Sequence, residues 1–229
     1  MKLWNLLHGV PLTGEHFTED MEISSLSYDT RTMEPGALFV ALPGAKTDGA
    51  RFIQEALEKG AAAVLCETPP EGEGPWLATP DARRALALVS ANWFGHPARE
   101  LTLVGVTGTN GKTTTTCLIK DLLERVLGTK AGLIGTIENQ IGSLRLPAHR
   151  TTPESCEVQQ LLRQMADAGC THVVMEVSSH ALVQHRVEGL TFAAGVFTNL
   201  TQDHLDYHHT MEEYRDAKGL LFRQCETAV

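Results

Sequence analysis

The sequence predicts an α/β chain in two parts, a small N-terminal α/β unit followed by a unit built on a mostly parallel sheet. Three observations carry this. From residue 101 onward, short apolar runs rich in β-branched residues alternate with helix-length amphipathic segments, the pattern of strands covered by helices on both faces. The breaker cluster Gly95-His96-Pro97 separates that alternation from an earlier stretch with its own strand and helix signals. Third, the apolar run 101–106 leads into a glycine-rich turn, then Lys112, then four consecutive threonines at 113–116.

The elements follow in order. Residues 1–7 read as a short amphipathic helix start, 21–28 as a strand, and Asp29-Thr30-Arg31 as a polar turn. Residues 37–42 form a buried strand stopped by Pro43-Gly44, 50–59 a helix closed by Gly60, and 61–66 another strand. The stretch 68–75 is too rich in Pro and Gly to be anything but a loop. Asp81 caps a helix that runs to about Phe94. The boundary is placed at Pro97, giving parts 1–97 and 98–229. In the second part 101–106, 131–137, 172–177 and 192–198 read as strands. Helices are expected after Lys112, over 157–168 and over 211–225.

A chain of 229 residues suits one or two domains. Its apolar content of 42% is ordinary for a globular protein, and no apolar run approaches the length of a membrane span. With no basic-then-apolar leader, the chain is expected in the cytoplasm. The cysteines, Cys66, Cys117, Cys156, Cys170 and Cys225, are odd in number and never spaced Cys-x-x-Cys, which argues against a disulfide framework or zinc site. A net charge of −9 argues against a nucleic-acid surface.

Strand, glycine loop, Lys-Thr, helix is the arrangement that cradles nucleotide phosphates: backbone N–H groups point inward, Lys112 supplies a cation and the Thr113 hydroxyl holds Mg²⁺. ATP or a close relative is the expected ligand, and the second part is of the P-loop type. The general pattern wants its first glycine at position 106, whereas this chain has Val106 and a glycine one residue earlier, Gly105.

Ligands of such sheets collect beyond the carboxyl ends of the strands, and the polar clusters of this chain fall there. Glu176 ends a buried strand; it is either a carboxylate facing water or a ligand aimed at the Mg²⁺ of the phosphate loop. Ser179-His180 lacks the glycine-flanked elbow of a nucleophile. The segment 199–209 is dense in potential metal ligands and reads equally as a solvated loop or a metal site, with zinc on His204 and His208 or a second Mg²⁺ on His204.

Taken together, Thr107-Gly-Thr-Asn-Gly-Lys-Thr-Thr, Met175-Glu-Val-Ser-Ser-His, Gln184-His-Arg-Val, Phe197-Thr-Asn-Leu-x-x-Asp-His-Leu-Asp-Tyr-His and Tyr214-Arg-Asp-Ala-Lys resemble the Mur ligase family. These are ATP-dependent amide ligases of peptidoglycan precursor assembly, and the early first glycine of the phosphate loop is that family's own form. Tyr28-Asp-Thr-Arg, Pro35-Gly-x-Leu-Phe-Val-Ala and Asp48-Gly are similar to the family's UDP-binding domain. Among its branches the motifs resemble the one that adds the third amino acid to UDP-MurNAc-L-Ala-D-Glu.

The resemblance implies roles. Tyr28, Thr30, Ala45, Lys46 and Thr47 would contact UDP; Gly108, Thr109, Asn110, Gly111, Lys112, Thr113 and Thr114 would bind ATP. Arg150, Thr151, Thr152, Ser178, Gln184 and Arg186 would hold the muramoyl dipeptide, Arg150 standing where some relatives carry Asn. Thr113, Glu176, His204 and Lys218 would serve magnesium, Lys218 as a carbamate, and catalysis would rest on Lys112, Lys218, Glu176 and His204. ATP would phosphorylate the D-glutamyl carboxylate, and the amine of a free amino acid (lysine, diaminopimelate or ornithine) would displace phosphate. The family continues past the point matching Val229 with a third domain that binds the amino acid, so the chain alone is expected to be inactive. A folylpolyglutamate synthase-like ligase and a non-catalytic nucleotide-binding module are the competing readings.

Overall fold

The computed structural model describes residues 1–17, 19–44, 48–71 and 74–229, which divide into two units, Met1–Trp93 and Phe94–Val229. Among the described residues no helix is long and apolar enough to cross a membrane.

In the first unit the order is α1 (Leu3–Leu6), β1 (Gly14–His16), β2 (Ser25–Ser27), β3 (Ala37–Val40), α2 (Ile53–Glu58), β4 (Ala63–Cys66), β5 (Trp76–Ala78) and α3 (Ala82–Trp93). The sheet runs β1-β5-β4-β3-β2; all neighbours pair parallel except β1 with β5. β3 and β4 are wholly buried, which is why they read as unbroken apolar runs. Phe39 and Val64 pack there against Ile53 and Ala56 of α2. Asp81 Oδ1 accepts from the Arg84 N–H at 2.9 Å, the cap expected from sequence. The helix expected over 50–59 starts later, at Ile53, after a 3₁₀ turn Gly49–Phe52 capped by Asp48. The strand expected over 21–28 shrinks to Ser25–Ser27, and β1 and β5, three residues each, carry too little pattern to have been read.

The second unit holds β6 (Thr102–Thr107), α4 (Lys112–Leu127), β7 (Ala131–Ile134), β8 (Glu138–Ile141), β9 (Leu144–Pro147), α5 (Ser155–Asp167), β10 (His172–Glu176), α6 (Ser179–Val183), β11 (Phe192–Phe197), α7 (Leu205–His208), α8 (Met211–Gly219) and β12 (Cys225–Ala228). Its sheet runs β12-β11-β6-β10-β7-β8-β9, parallel from β12 to β7, with the β8–β9 hairpin antiparallel at one edge. One face packs Leu103, Val173, Met175 and Phe192 against Val158, Leu162 and Met165 of α5. On the other, Val106, Leu133 and Val174 meet Ile119 and Leu123 of α4, whose Leu118, Leu122 and Val126 face outward.

Two expectations are corrected here. The strand expected over 131–137 stops at Ile134, because Gly135 and Thr136 turn toward Glu176 before the chain enters β8. The helix expected over 211–225 ends at Gly219; a 3₁₀ turn follows, and Cys225 opens β12.

Candidate functional site

In a parallel sheet the loops after the strands gather on one side. β6 lies between β10 and β11, so the segments that follow these three strands are neighbours.

The loop after β6 needs its glycines: φ is +139° at Gly108 and +84° at Gly111. A Cβ on Gly108 would overlap the Thr198 hydroxyl and approach the Asn199 backbone to 3.1 Å. That closeness lets the segment after β11 brace the loop. Thr109 N–H donates to Asn199 O at 2.9 Å, Asn110 N–H to Asn199 Oδ1 at 3.0 Å, and Thr198 Oγ1 to Asn110 O at 2.6 Å. Asn110 is thereby held from outside, while α4 begins at Lys112 with first-turn N–H groups that no helix carbonyl can reach. The positive end of the helix dipole adds to their pull on an anion.

Two lysines close the loop. Lys112 Nζ donates to Gly108 O at 2.8 Å and to Thr109 O at 2.9 Å. Lys218, 1% exposed, reaches in from α8 and donates to the same Gly108 O at 2.8 Å. Its ammonium also lies 4.3 Å from the centre of the Tyr214 ring, whose hydroxyl is 3.3 Å from Thr109 Oγ1. Burial lowers the pKa of Lys112, opposed by Glu176 and Asp203. Burial and then the charge of Lys112 push Lys218 down to about 7.

Glu176 ends β10 at 1% exposure. The Thr136 N–H donates to its Oε1 at 2.9 Å and the Thr136 hydroxyl to its Oε2 at 2.9 Å. The strand end is fixed as well, since Thr152 Oγ1 donates to Glu176 O at 2.8 Å and accepts from Ser178 N–H at 3.1 Å.

A second cluster stands beside it. Arg186 donates to Gln184 Oε1 at 2.6 Å and Thr152 O at 3.0 Å, and its Nε lies 3.3 Å from Glu154 Oε1. Arg150 reaches Glu154 Oε2 at 3.3 Å. Gln184 donates to the Tyr207 hydroxyl at 3.2 Å, and the Thr136 and Thr151 hydroxyls are 3.0 Å apart. The Ser178 side chain caps α6 by accepting from Ala181 N–H at 3.2 Å.

The histidines of 199–209 divide. His204 takes a left-handed backbone at φ +52°, with its ring 5.0 Å from His180 and 6.0 Å from Tyr214. His208 is buried and its Nε2 bonds Ser179 Oγ at 2.9 Å. Burial first, then His204, lowers the pKa of both His180 and His208. His208 thus has a partner other than a metal. Among the described residues no three of His, Cys, Asp and Glu form a metal cage.

The structure therefore brings together Gly108, Thr109, Asn110, Gly111, Lys112 and Lys218 around one loop, and Thr151, Thr152, Ser178, Gln184, Arg186 and Arg150 around the end of β10. In the first unit Thr30 is buried, its carbonyl accepting from Lys59 Nζ at 2.9 Å. The expected contacts Ala45, Lys46 and Thr47 lie outside the described residues. Sequence reasoning missed Thr136 as the partner of Glu176; the signal was a Gly-Thr doublet closing a buried run. It also gave Tyr214 no role, although an aromatic four residues before a lysine shares its helix face.

Comparison with known proteins follows the same lines. Residues 106–229 match the Mur ligase middle domain, and residues 22–95 match the catalytic domain of the Mur ligase family. The UDP-N-acetylmuramoyl-L-alanyl-D-glutamate--2,6-diaminopimelate ligase of Geobacillus thermodenitrificans (strain NG80-2) is 49% identical over 224 residues, 98% of this chain and 46% of that protein. The enzyme of the same name from Chlorobaculum tepidum is 53% identical over 205 residues, 88% of this chain and 40% of that protein. A solved structure of a UDP-N-acetylmuramoyl-L-alanyl-D-glutamate--2,6-diaminopimelate ligase superposes with a TM-score of 0.79 at 30% identity, covering 100% of this chain and 47% of that one. MurF ligase from Thermotoga maritima in complex with ADP shares the fold, with a TM-score of 0.60 at 22% identity over 91% of this chain and 45% of that one. The chain spans less than half the length of these curated relatives.

Proposed function

The chain belongs to the Mur ligase family, and we propose that its protein forms the amide bond between UDP-MurNAc-L-Ala-D-Glu and 2,6-diaminopimelate at the expense of ATP. The observation that carries the reading is the pair of lysines on Gly108 O, Lys112 half-buried and Lys218 buried, beside the open first turn of α4, with the Glu176 carboxylate at the next strand end. Binding a triphosphate would relieve the repulsion of two ammonium groups held on one carbonyl. The names of the relatives supply the amino acid.

The chemistry starts with a carboxylate that amines do not attack, because its leaving group would be oxide. A D-glutamyl carboxylate oxygen bonds to the γ-phosphorus of ATP and the bond to the ADP oxygen breaks. The amine nitrogen then bonds to the acyl carbon, loses a proton, and inorganic phosphate leaves. Lys112 and the N–H groups of α4 would hold the phosphates in line; Arg186, Gln184, Ser178 and Thr151 would hold the dipeptide, with Arg150 at its rim and Thr152 fixing the backbone beneath. Tyr28 and Thr30 would contact the uridine diphosphate in the first unit, with Ala45, Lys46 and Thr47.

Magnesium suits the donor set: this cation takes one or two carboxylates and draws its remaining oxygens from phosphates and water, so no preformed cage is needed around Glu176. Thr113 and His204 would serve it from the helix start and the αL turn. When bound it would neutralise charge on the transferring phosphoryl group. The Lys218 ammonium cannot be a ligand, but its amine, its pKa lowered to about 7 by burial and then by Lys112, can add to CO₂ and lose a proton to become a carbamate anion.

The test replaces the matching segment of the G. thermodenitrificans ligase with these 229 residues. The chimera, whose remaining domain comes from that diaminopimelate ligase, is given UDP-MurNAc-L-Ala-D-Glu, ATP, Mg²⁺ and diaminopimelate, and in a separate arm a folate, ATP, Mg²⁺ and L-glutamate. Mass spectrometry is expected to find a tripeptide with diaminopimelate, matched by ADP release. ADP release without amide would leave only nucleotide binding and hydrolysis, and product with L-glutamate on a folate would favour the folylpolyglutamate branch.

A further inference from the structure

Glu176 is held in an unusual way for a carboxylate about to meet a cation. Both oxygens are occupied from one side by one residue, Thr136, through its N–H to Oε1 and its hydroxyl to Oε2, each at 2.9 Å. The geometry depends on the residue before it. A Cβ on Gly135 would stand 2.6 Å from Glu176 Oε1, so only glycine lets the end of β7 come this near the carboxylate. Gly135 N–H lies 3.3 Å from the side-chain oxygen of buried Asn139, which pins the turn from below. The Thr136 hydroxyl also stands 3.0 Å from that of Thr151, and Thr152 holds the Glu176 backbone. Strand β7 ends early for this turn, at the cost of the pairing that Gly135 would continue.

We propose that Thr136 is the positioning residue of Glu176: its two donors lock the rotation of the carboxylate, so that the lone pairs left free face the divalent cation of the phosphate loop. This rests on the nucleotide and metal reading given above and adds to it a residue that touches neither. A carboxylate oxygen has two lone pairs, and a donor on one leaves the other for a metal. Fixing the orientation of a ligand carboxylate through its other hydrogen bonds is worth about 10–100-fold in metal affinity. The hydroxyl pair with Thr151 further ties the carboxylate to the cluster around Arg186.

The experiment uses this 229-residue chain and the ATP analogue AMPPCP, titrated calorimetrically in saturating Mg²⁺ and again in EDTA; the ratio of the two dissociation constants is the metal increment. Glu176→Gln is the reference and should abolish the increment. Thr136→Val keeps the shape of the side chain and removes the hydroxyl; it should cut the increment about tenfold while leaving affinity in EDTA unchanged. Thr136→Ser keeps the hydroxyl and should stay within about threefold of wild type on the same scale of outer-sphere effects. Thermal melts and the Gly108 amide resonance confirm that each variant folds. A Thr136→Val increment equal to wild type, or an equal loss in Mg²⁺ and in EDTA, overturns the positioning role while the metal reading stands. A full increment in Glu176→Gln overturns the metal reading and the positioning role with it.

Discussion

The ammonium groups of Lys112 and Lys218 donate to the same carbonyl oxygen, that of Gly108, each at 2.8 Å. They come from different helices, one at the start of α4 and one near the end of α8, 106 positions later in the chain. Two cations on one acceptor, one buried and one half-buried, repel; burial lowers the pKa of each, and the charge of Lys112 lowers that of Lys218 further. The loop is thus held in its native shape by groups that gain from an anion between them.

Lys112→Met tests that gain. The variant loses a charged donor worth about 1.5–3 kcal/mol, so the AMPPCP dissociation constant should rise about 10–100-fold. The melting temperature should hold or rise, because Lys218 no longer faces a second cation. Unchanged affinity by calorimetry would mean that Lys112 only ties its own loop.

Lys218 should make stability depend on pH. Its pKa is about 7 in the folded chain and about 10.4 unfolded. Between those values the unfolded chain carries the extra proton, so folding stability rises with pH, and the penalty is complete below about 7. The slope for one proton is at most about 1.4 kcal/mol per pH unit. Urea melts in CO₂-free buffer should show wild type gaining on Lys218→Met from pH 7 to 9.5. Parallel curves would contradict the buried placement of the amine.

Gly108→Ala should damage the loop twice. The residue sits at φ +139°, a conformation that costs an L-residue about 1–3 kcal/mol, and its Cβ would strike the Thr198 hydroxyl. Pushing that segment away breaks the bonds from Thr109 and Asn110 to Asn199. Stability should fall by about 2 kcal/mol or more, and AMPPCP binding should be lost. Gly128→Ala makes the control: it closes α4 at φ +61° with nothing within 4 Å of its Cβ, so strain alone remains there.

The larger elements were legible because their signals are local. β6, β10 and β11 each centre on an apolar run, α4 follows a glycine turn, and Asp81 announces α3. The phosphate loop was legible for the same reason: its chemistry lies within seven neighbouring residues, 108–114. What stayed hidden depends on distant partners. β7 stops at Ile134 so that Thr136 can meet a carboxylate 40 positions further on, and the 3₁₀ turn after Gly219 lets Leu221 enter the core before β12. Lys218 reads as an exposed helix lysine in isolation; only the fold buries it against Tyr214 and Gly108. Thr152 reads as a substrate contact, and the bonds of its hydroxyl to Glu176 O and Ser178 N–H come from residues too far along the chain to be read.

That last point yields a prediction that separates holding the substrate from holding the site. The Thr152 hydroxyl donates to Glu176 O and accepts from Ser178 N–H, and the residue is 1% exposed. Its carbonyl receives Arg186 at 3.0 Å. One side chain therefore ties the end of β10 to the start of α6 and, through its backbone, to the arginine beside Gln184. Thr152→Val fills the same volume but removes the partner of a buried carbonyl, Glu176 O, and of the half-buried Ser178 N–H, a loss of about 1–3 kcal/mol. Thr152→Ser restores both bonds and should return most of it. If Thr152 acts by fixing the strand end, nuclear magnetic resonance should show the Thr152→Val shifts spreading through Ser178 and Ala181 with no ligand added. A Thr152→Val chain of wild-type stability, changed only in its response to UDP-MurNAc-L-Ala-D-Glu, would return the hydroxyl to direct substrate contact.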